Sequence, residues 1–497
     1  MVRKLAVFLG ISLLTMPSLP RAQAGRLEAA LTGAKCAALA GTDFSQVEDA
    51  PGEVMAAKVV TGEEDLPSYC EVIGHTWRDV RFRVRMPSTG WNGKLVVFGT
   101  GGQAGDFLPD DPASPVSSSG SALRQGFATA THNGGHVSSQ TDAAWSYQNE
   151  SALLDYGFRA PHVAGLIARA IVRESYDRAA RRAYFSGCSN GGREALQMAQ
   201  RYPYDYDGIV AGAPSMRWSD LFVHLYWFTN RVYGGNAVLD SSVLQLLHKH
   251  VLNRCDRIDG RLDGILDDPR QCQVDLEPIT CKSGVSGNCL SPAQAKAARE
   301  IYDGPHDSAG RIGYSSAMPG SELVWDDFAG IEVYPPSVFR YQSFMPAAGP
   351  AFNPAESQLR DYARRSGGSD AILSASNPDL RRFRDNGGKL LSYMGWNDPL
   401  GGIHETIDYY STVERVIGDR QATQDFYRLF MVPGMNHCSG GDGAYQIDWL
   451  AALDAWVDAQ TAPDTITGYR PDADGKPAFV RTISPLRAEN KHSETEH

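Results

Sequence analysis

Ala183-Tyr-Phe-Ser-Gly-Cys-Ser-Asn-Gly-Gly-Arg193 is an apolar run that breaks at Gly187-Cys188-Ser189-Asn190-Gly191, a G-x-S-x-G sequence. It then passes into Glu194-Ala195-Leu196-Gln197-Met198-Ala199. The first part reads as a strand and the last as the opening of a helix. Strand, sharp turn and helix form the setting in which a serine sits in strained backbone with its hydroxyl clear of the sheet. Glycines two positions either side let strand and helix approach closely, because a Cβ there would clash. The helix start would turn its free amides and the positive end of its dipole toward a reacting carbonyl. The same pattern also arises by chance in glycine-rich turns, so the reading depends on partners elsewhere in the chain.

Two such partners are present. Lys389–Met394 reads as a buried strand that ends in Gly395-Trp396-Asn397-Asp398-Pro399, an aspartate just past the strand, although Asp-Pro also begins ordinary turns. Phe426–Val432 reads as a last core strand, followed by Pro433-Gly434-Met435-Asn436-His437-Cys438. Ser189, Asp398 and His437 then follow the chain order of the α/β-hydrolase triad. Earlier, Lys94–Phe98 runs into Gly99-Thr100-Gly101-Gly102-Gln103-Ala104-Gly105. A phosphate cradle would need a following Lys-Ser/Thr, which is absent. The loop instead suits a backbone oxyanion donor, assigned to Gly102, with the amide of Asn190 as the second. His132 and His136 lie four apart, but the glycines between them disfavour a helix and no third ligand is apparent. They are expected in a loop near the active-site mouth rather than on a metal.

The chain has 497 residues, enough for a large α/β core plus an insertion. Its net charge of −11, without a basic stripe, excludes a nucleic-acid binder. Met1-Val2-Arg3-Lys4, the apolar run Leu5–Leu14 and Ala22-Gln23-Ala24 read as a signal peptide cleaved after Ala24. No later run reaches membrane-spanning length. The expected layout is a signal peptide over 1–24 and a first core part over 25–214. An inserted lid follows over 215–377, then a second core part over 378–487 and a polar tail over 488–497. The lid loses the strand–helix alternation and reads as loop-rich, without a large core of its own.

Export makes the eight cysteines readable as bridges. Sequence alone permits many pairings. Locality favours Cys36–Cys70, Cys255–Cys272 and Cys281–Cys289, which leaves Cys188 and Cys438. These two adjoin Ser189 and His437, so a bridge between them would clamp base to nucleophile; two buried thiols are the alternative. Within the lid, Asp256, Asp259, Asp263 and Asp267 alternate with glycines. Hard oxygen ligands around tight turns suit Ca²⁺, although the spacing is not that of an EF-hand and an acidic turn is the plainer reading.

The Gly187-Cys188-Ser189-Asn190-Gly191-Gly192 motif, the Cys-Asp-x-x-Asp-Gly-x-x-Asp-Gly run and Asn436-His437-Cys438 together resemble the tannase and feruloyl esterase family, over nearly all of the chain past the signal peptide. The resemblance implies an α/β-hydrolase core with a lid between nucleophile and acid, and a Cys188–Cys438 bridge. It implies structural Ca²⁺ held by Asp256, Asp259 and Asp263 side chains and the carbonyls of Arg261 and Ile265. It implies a secreted or periplasmic carboxylic ester hydrolase acting on small aromatic esters of gallic, hydroxycinnamic or terephthalic type. Two features depart from the family: Met394-Gly395-Trp396 stands where His-Gly-Trp is common, and no cysteine follows Cys438. A calcium-stabilised binding protein without activity, or a thioesterase or peptidase using the same triad, are the alternative readings.

Overall fold

The computed structural model describes residues 30–486 except 64, 78, 108–118, 235–236, 283–286, 308–309, 315–316, 328–330 and 401. The expected signal peptide and polar tail lie outside the described residues. Among the described residues, nine strands form the central sheet: β1 (Gly52–Val60), β2 (Tyr69–Thr76), β3 (Arg81–Pro87), β4 (Lys94–Phe98), β5 (Ala128–His132), β6 (Arg182–Cys188), β7 (Gly208–Gly212), β8 (Lys389–Gly395) and β9 (Tyr427–Val432). Their order is β1-β2-β3-β5-β4-β6-β7-β8-β9. β1, β2, β3 and β5 pair antiparallel, and from β5 onward every neighbour is parallel. This is an α/β-hydrolase fold.

The residue pattern explains the arrangement. β4, β5, β7 and β9 are buried along their whole length, as strands covered on both faces must be. β3 alternates buried with more exposed residues, because it lies toward the sheet's antiparallel edge. Helix α1 (Ala160–Tyr176) packs its Val163, Ile167 and Ile171 into the core on one face. Helix α5 (Trp449–Ala459) brings Trp449, Leu453 and Trp456 to the other. The exchange of β4 and β5 in the order matters most for the site. It sets β4 directly beside β6, with Phe98 opposite Ser186. The glycine loop after β4 and the serine turn after β6 therefore emerge side by side, as at a topological switch point.

The chain leaves the sheet after Gly212 and returns at Lys389. The intervening segment is not the core-poor stretch expected from its sequence. Its helices, among them α3 (Trp218–Tyr233) and α4 (Tyr334–Tyr341), share a buried cluster that includes Trp218, Phe222, Trp325, Phe339 and Tyr362. α3 carries buried residues at helical spacing, but the partners that complete the core, Trp325, Phe339 and Tyr362, come from elements far along the chain, so the sequence did not show them as one core. Two further elements differ from expectation. Leu154–Tyr176 reads from its sequence as one helix, yet it includes a π-helical turn at Asp155–Arg159, itself preceded by an α-helical turn at Glu150–Leu154. Past α5 the chain forms an antiparallel hairpin, β10 (Ile466–Pro471) and β11 (Pro477–Ile483). The turn signal Asp472-Ala-Asp-Gly475 was there to be read.

All four expected disulfides are formed: Cys36–Cys70, Cys188–Cys438, Cys255–Cys272 and Cys281–Cys289. Among the described residues no helix is long and apolar enough to cross a membrane.

Candidate active site

Ser189 stands between β6 and helix α2 (Asn190–Arg201), with φ 61° and ψ −121°. Side chains rarely adopt that backbone, and it persists because the surroundings enforce it. A Cβ on Gly187 would lie 2.5 Å from the Gly191 carbonyl oxygen, and one on Gly192 would lie 2.1 Å from that of Gly212. The two glycines thus allow β6, β7 and α2 to close around the turn. The Ser189 amide donates to the Gly212 carbonyl at 3.1 Å, which anchors the strained residue to β7.

Asp398 follows β8 and is 1% exposed. One of its oxygens accepts the Leu400 amide at 3.0 Å, and the other lies 2.7 Å from Nδ1 of His437. That contact fixes the imidazole with Nε2 directed away from the acid. His437 is half-buried in the loop after β9. The Cys188–Cys438 bridge, with its Cα atoms 5.8 Å apart, ties the neighbour of Ser189 to the neighbour of His437. The Ser189 hydroxyl makes no hydrogen bond to His437 here; such bonds often tighten only when substrate is present.

The loop after β4 can be read amide by amide. Gly99 donates to Ser186 O, Thr100 to the Glu194 carboxylate, Gln103 to Gln140 O, Ala104 to Gly101 O and Gly105 to Asn133 O. The amides of Gly101 and Gly102 donate to no protein acceptor among the described residues, nor does that of Asn190. Gly102 has φ +47°, and its carbonyl accepts the Tyr156 hydroxyl at 2.7 Å.

Four buried residues that pack around the serine turn and the glycine loop escaped the sequence reading. Glu194 is fully buried on α2 and accepts the Thr100 amide at 2.8 Å and the Thr100 hydroxyl at 2.7 Å. Arg193, also fully buried, donates to Asn190 Oδ1 and to the carbonyls of Tyr156, Gly157 and Leu373. Gln103 contacts Tyr334 and Gln342 from the segment between β7 and β8, and it accepts from Trp145. Tyr156 packs edge-on against Trp218. The adjacent charges Arg193-Glu194, placed directly after the elbow glycines, were the available signal. His132 and His136 are both buried. His136 stacks on Trp145 and meets the Gln103 carbonyl at 2.6 Å, and burial pushes its imidazole down to about 4. It braces the glycine loop from behind.

In the acidic loop, Asp256 is buried and accepts the amides of Asp263 and Gly264. No cationic side chain pairs with it among the described residues, so its charge lacks the compensation a buried carboxylate needs. Asp259 accepts the amides of Arg261 and Asp267. Asp263 and Asp267 both pair with Arg481 of the C-terminal hairpin. Oxygen donors around an uncompensated buried carboxylate fit a hard divalent cation chemically. Among the described residues, however, no three acidic, histidine or cysteine side chains converge as a finished cage.

A sequence profile described as tannase and feruloyl esterase matches residues 59–333 and 360–486. The chain belongs to the tannase and feruloyl esterase family. It is 32% identical over 403 residues to a probable feruloyl esterase B-2 of Aspergillus terreus, covering 76% of this chain and 74% of that protein. It is 31% identical over 505 residues to the mono(2-hydroxyethyl) terephthalate hydrolase of Piscinibacter sakaiensis, covering 86% and 83%. A crystal structure of an esterase from Aspergillus oryzae superposes with a TM-score of 0.80 at 26% identity, over 91% of this chain and 95% of that one. As a member of this family the chain is a carboxylic ester hydrolase taking a small-molecule ester, with the fold read from its sequence.

Proposed function

We propose that this esterase cleaves esters of aromatic acids of the hydroxycinnamic, gallic or terephthalic type, through an acyl-enzyme on Ser189. One observation carries the reading: the Cys188–Cys438 bridge joins the serine turn to a loop whose histidine is already paired, at 2.7 Å, with a buried aspartate. In the first half-reaction Ser189 Oγ attacks the ester carbonyl and gives its proton to His437 Nε2. Asp398 holds the tautomer and stabilises the imidazolium. The oxyanion draws on the free amides of Gly102 and Asn190; losing one such donor typically costs about 3 kcal/mol. The alcohol leaves with the proton from His437. Water, deprotonated by the same histidine, then releases the acid and restores the serine.

The names of the two relatives, one for ferulate esters and one for a terephthalate ester, favour an aromatic acyl group. The segment between β7 and β8 acts as the lid, its aromatic core reaching the glycine loop through Gln103. Calcium, if held by Asp256, Asp259, Asp263 and the carbonyls of Arg261 and Ile265, supplies charge compensation to the acidic loop and no chemistry to the ester. Export to the periplasm or medium fits the Met1–Ala24 pattern and the four bridges.

Ser189→Ala should lower hydrolysis of methyl ferulate or a 4-nitrophenyl ester by at least about 10³-fold with folding retained. Turnover near the wild-type rate in that variant would end the assignment. A panel of gallate, ferulate, p-coumarate, chlorogenate and hydroxyethyl terephthalate esters then identifies the acyl group.

A further inference from the structure

We propose that Glu194 is a positioning residue for the oxyanion hole, the cross-link that sets the glycine loop against the start of the nucleophile helix. The inference rests on the triad reading above and deepens it. Glu194 lies on the first turns of α2, five residues after Ser189, and none of its side chain reaches solvent. Its carboxylate takes two hydrogen bonds from one residue of the loop, the amide and the hydroxyl of Thr100. It takes a third, at 3.2 Å, from Nδ2 of Asn190, which also donates to the Thr100 hydroxyl at 2.8 Å. On its other side Asn190 accepts Arg193 Nε at 2.8 Å. His132 Nε2, fully buried and without a hydrogen-bond partner, faces the same carboxylate at 3.7 Å.

The two proposed oxyanion donors belong to different elements, the loop after β4 and the helix after β6. The β4–β6 pairing holds the two backbones together as far as the bond from the Gly99 amide to the Ser186 carbonyl, but among the described residues no backbone hydrogen bond joins Gly102 to Asn190. Glu194 and the Asn190 side chain supply the link, since both close on Thr100, two residues before Gly102. The approach is tight: a Cβ on Gly99 would lie 2.8 Å from Glu194 Oε2, and one on Gly191 would lie 2.9 Å from the Thr100 carbonyl oxygen. Tyr156 holds the far side of the loop through the Gly102 carbonyl. With Thr100 bound to Glu194 and the Gly102 carbonyl bound to Tyr156, the Gly101 and Gly102 amides have no competing acceptor. A donor pair preset in this way costs no reorganisation at the transition state.

Glu194→Gln would place a donor where the carboxylate accepts, and Thr100→Val would remove the hydroxyl while keeping size and backbone. Each variant should lower kcat on the order of 10²-fold and leave KM within about threefold. An aryl trifluoromethyl ketone, whose adduct puts an oxyanion in the same place, should bind more weakly by the same factor as kcat/KM falls. Thr100→Ser, which restores the hydroxyl, should recover kcat to within about threefold of wild type. Should Glu194→Gln fail to fold, the two Thr100 variants decide alone. Variants that lose thermal stability yet keep kcat, or a Thr100→Ser as impaired as Thr100→Val, would reduce Glu194 to a packing strut and overturn the inference. Fluorophosphonate labelling separates it from the reading beneath it. A wild-type Ser189 that is not labelled defeats the triad, whereas equal labelling rates in wild type and Thr100→Val defeat only the role of Glu194.

Discussion

His224 lies wholly buried on α3, and burial pushes its imidazole down to about 4, against the pull of the Pro399 and Tyr314 carbonyls. His136 is lowered to about 4 for the same reason. Both are neutral in the folded protein between pH 4 and their ordinary value near 6.5, where the unfolded chain is protonated. The unfolded state therefore binds more protons over that window, and stability falls as pH drops from 6.5 toward 4. Each group contributes on the order of 3 kcal/mol to the total loss across that window. Urea unfolding at a series of pH values should show a shallower dependence for His224→Gln and for His136→Gln than for wild type; parallel curves would remove these residues from the account. At this scale the sequence was only half legible. The strand-end positions of Ser189, Asp398 and His437, and the pairing of the last two, were legible from apolar runs and chain order; their proposed roles await the variants above. Glu194, Arg193 and Gln103 were not, because their partners Thr100, Leu373 and Gln342 come from distant segments and only folding makes them neighbours.

Among the elements, the bridge beside the triad has the clearest consequence. Cys188 ends β6 and Cys438 follows β9, strands separated in the sheet by β7 and β8. The link closes a sequence separation of 250 residues, worth roughly 5 kcal/mol in a chain-entropy account. Its proposed catalytic value is geometric. The double variant Cys188→Ala, Cys438→Ala should lose on the order of 10²-fold in kcat, more than its loss of melting temperature would suggest. Full activity in that variant would mean the bridge serves stability alone. The core strands were readable from their apolar runs, and β3 from its alternation. The segment between β7 and β8 hid its core, because Trp218 and Phe222 of α3 meet Trp325, Phe339 and Tyr362 from elements far along the chain. The β10–β11 hairpin lies beyond the last helix and was missed, although Arg481 on it reaches two aspartates of the acidic loop.

At the scale of the whole molecule, that arginine and a bound cation would act on one loop. Asp263 belongs to the proposed calcium donors and also pairs with Arg481. Chelation should lower the melting temperature, and added calcium should raise it with the logarithmic dependence of a ligand that binds only the folded state. Arg481→Ala should steepen the calcium dependence by leaving Asp263 without its cation and Asp267 with Arg261 alone. A melt indifferent to calcium in both proteins would show that the acidic loop is held by Arg481 and its own turn hydrogen bonds. The order in which these contacts are made also has a consequence for biosynthesis. The hydroxyl of the elbow emerges early, whereas its base and the sulfur that tethers it belong to the loop after the last core strand. On the proposed triad, a polypeptide that stops short of that loop holds the nucleophile without its base, so full activity waits for almost the whole chain and for closure of the bridge.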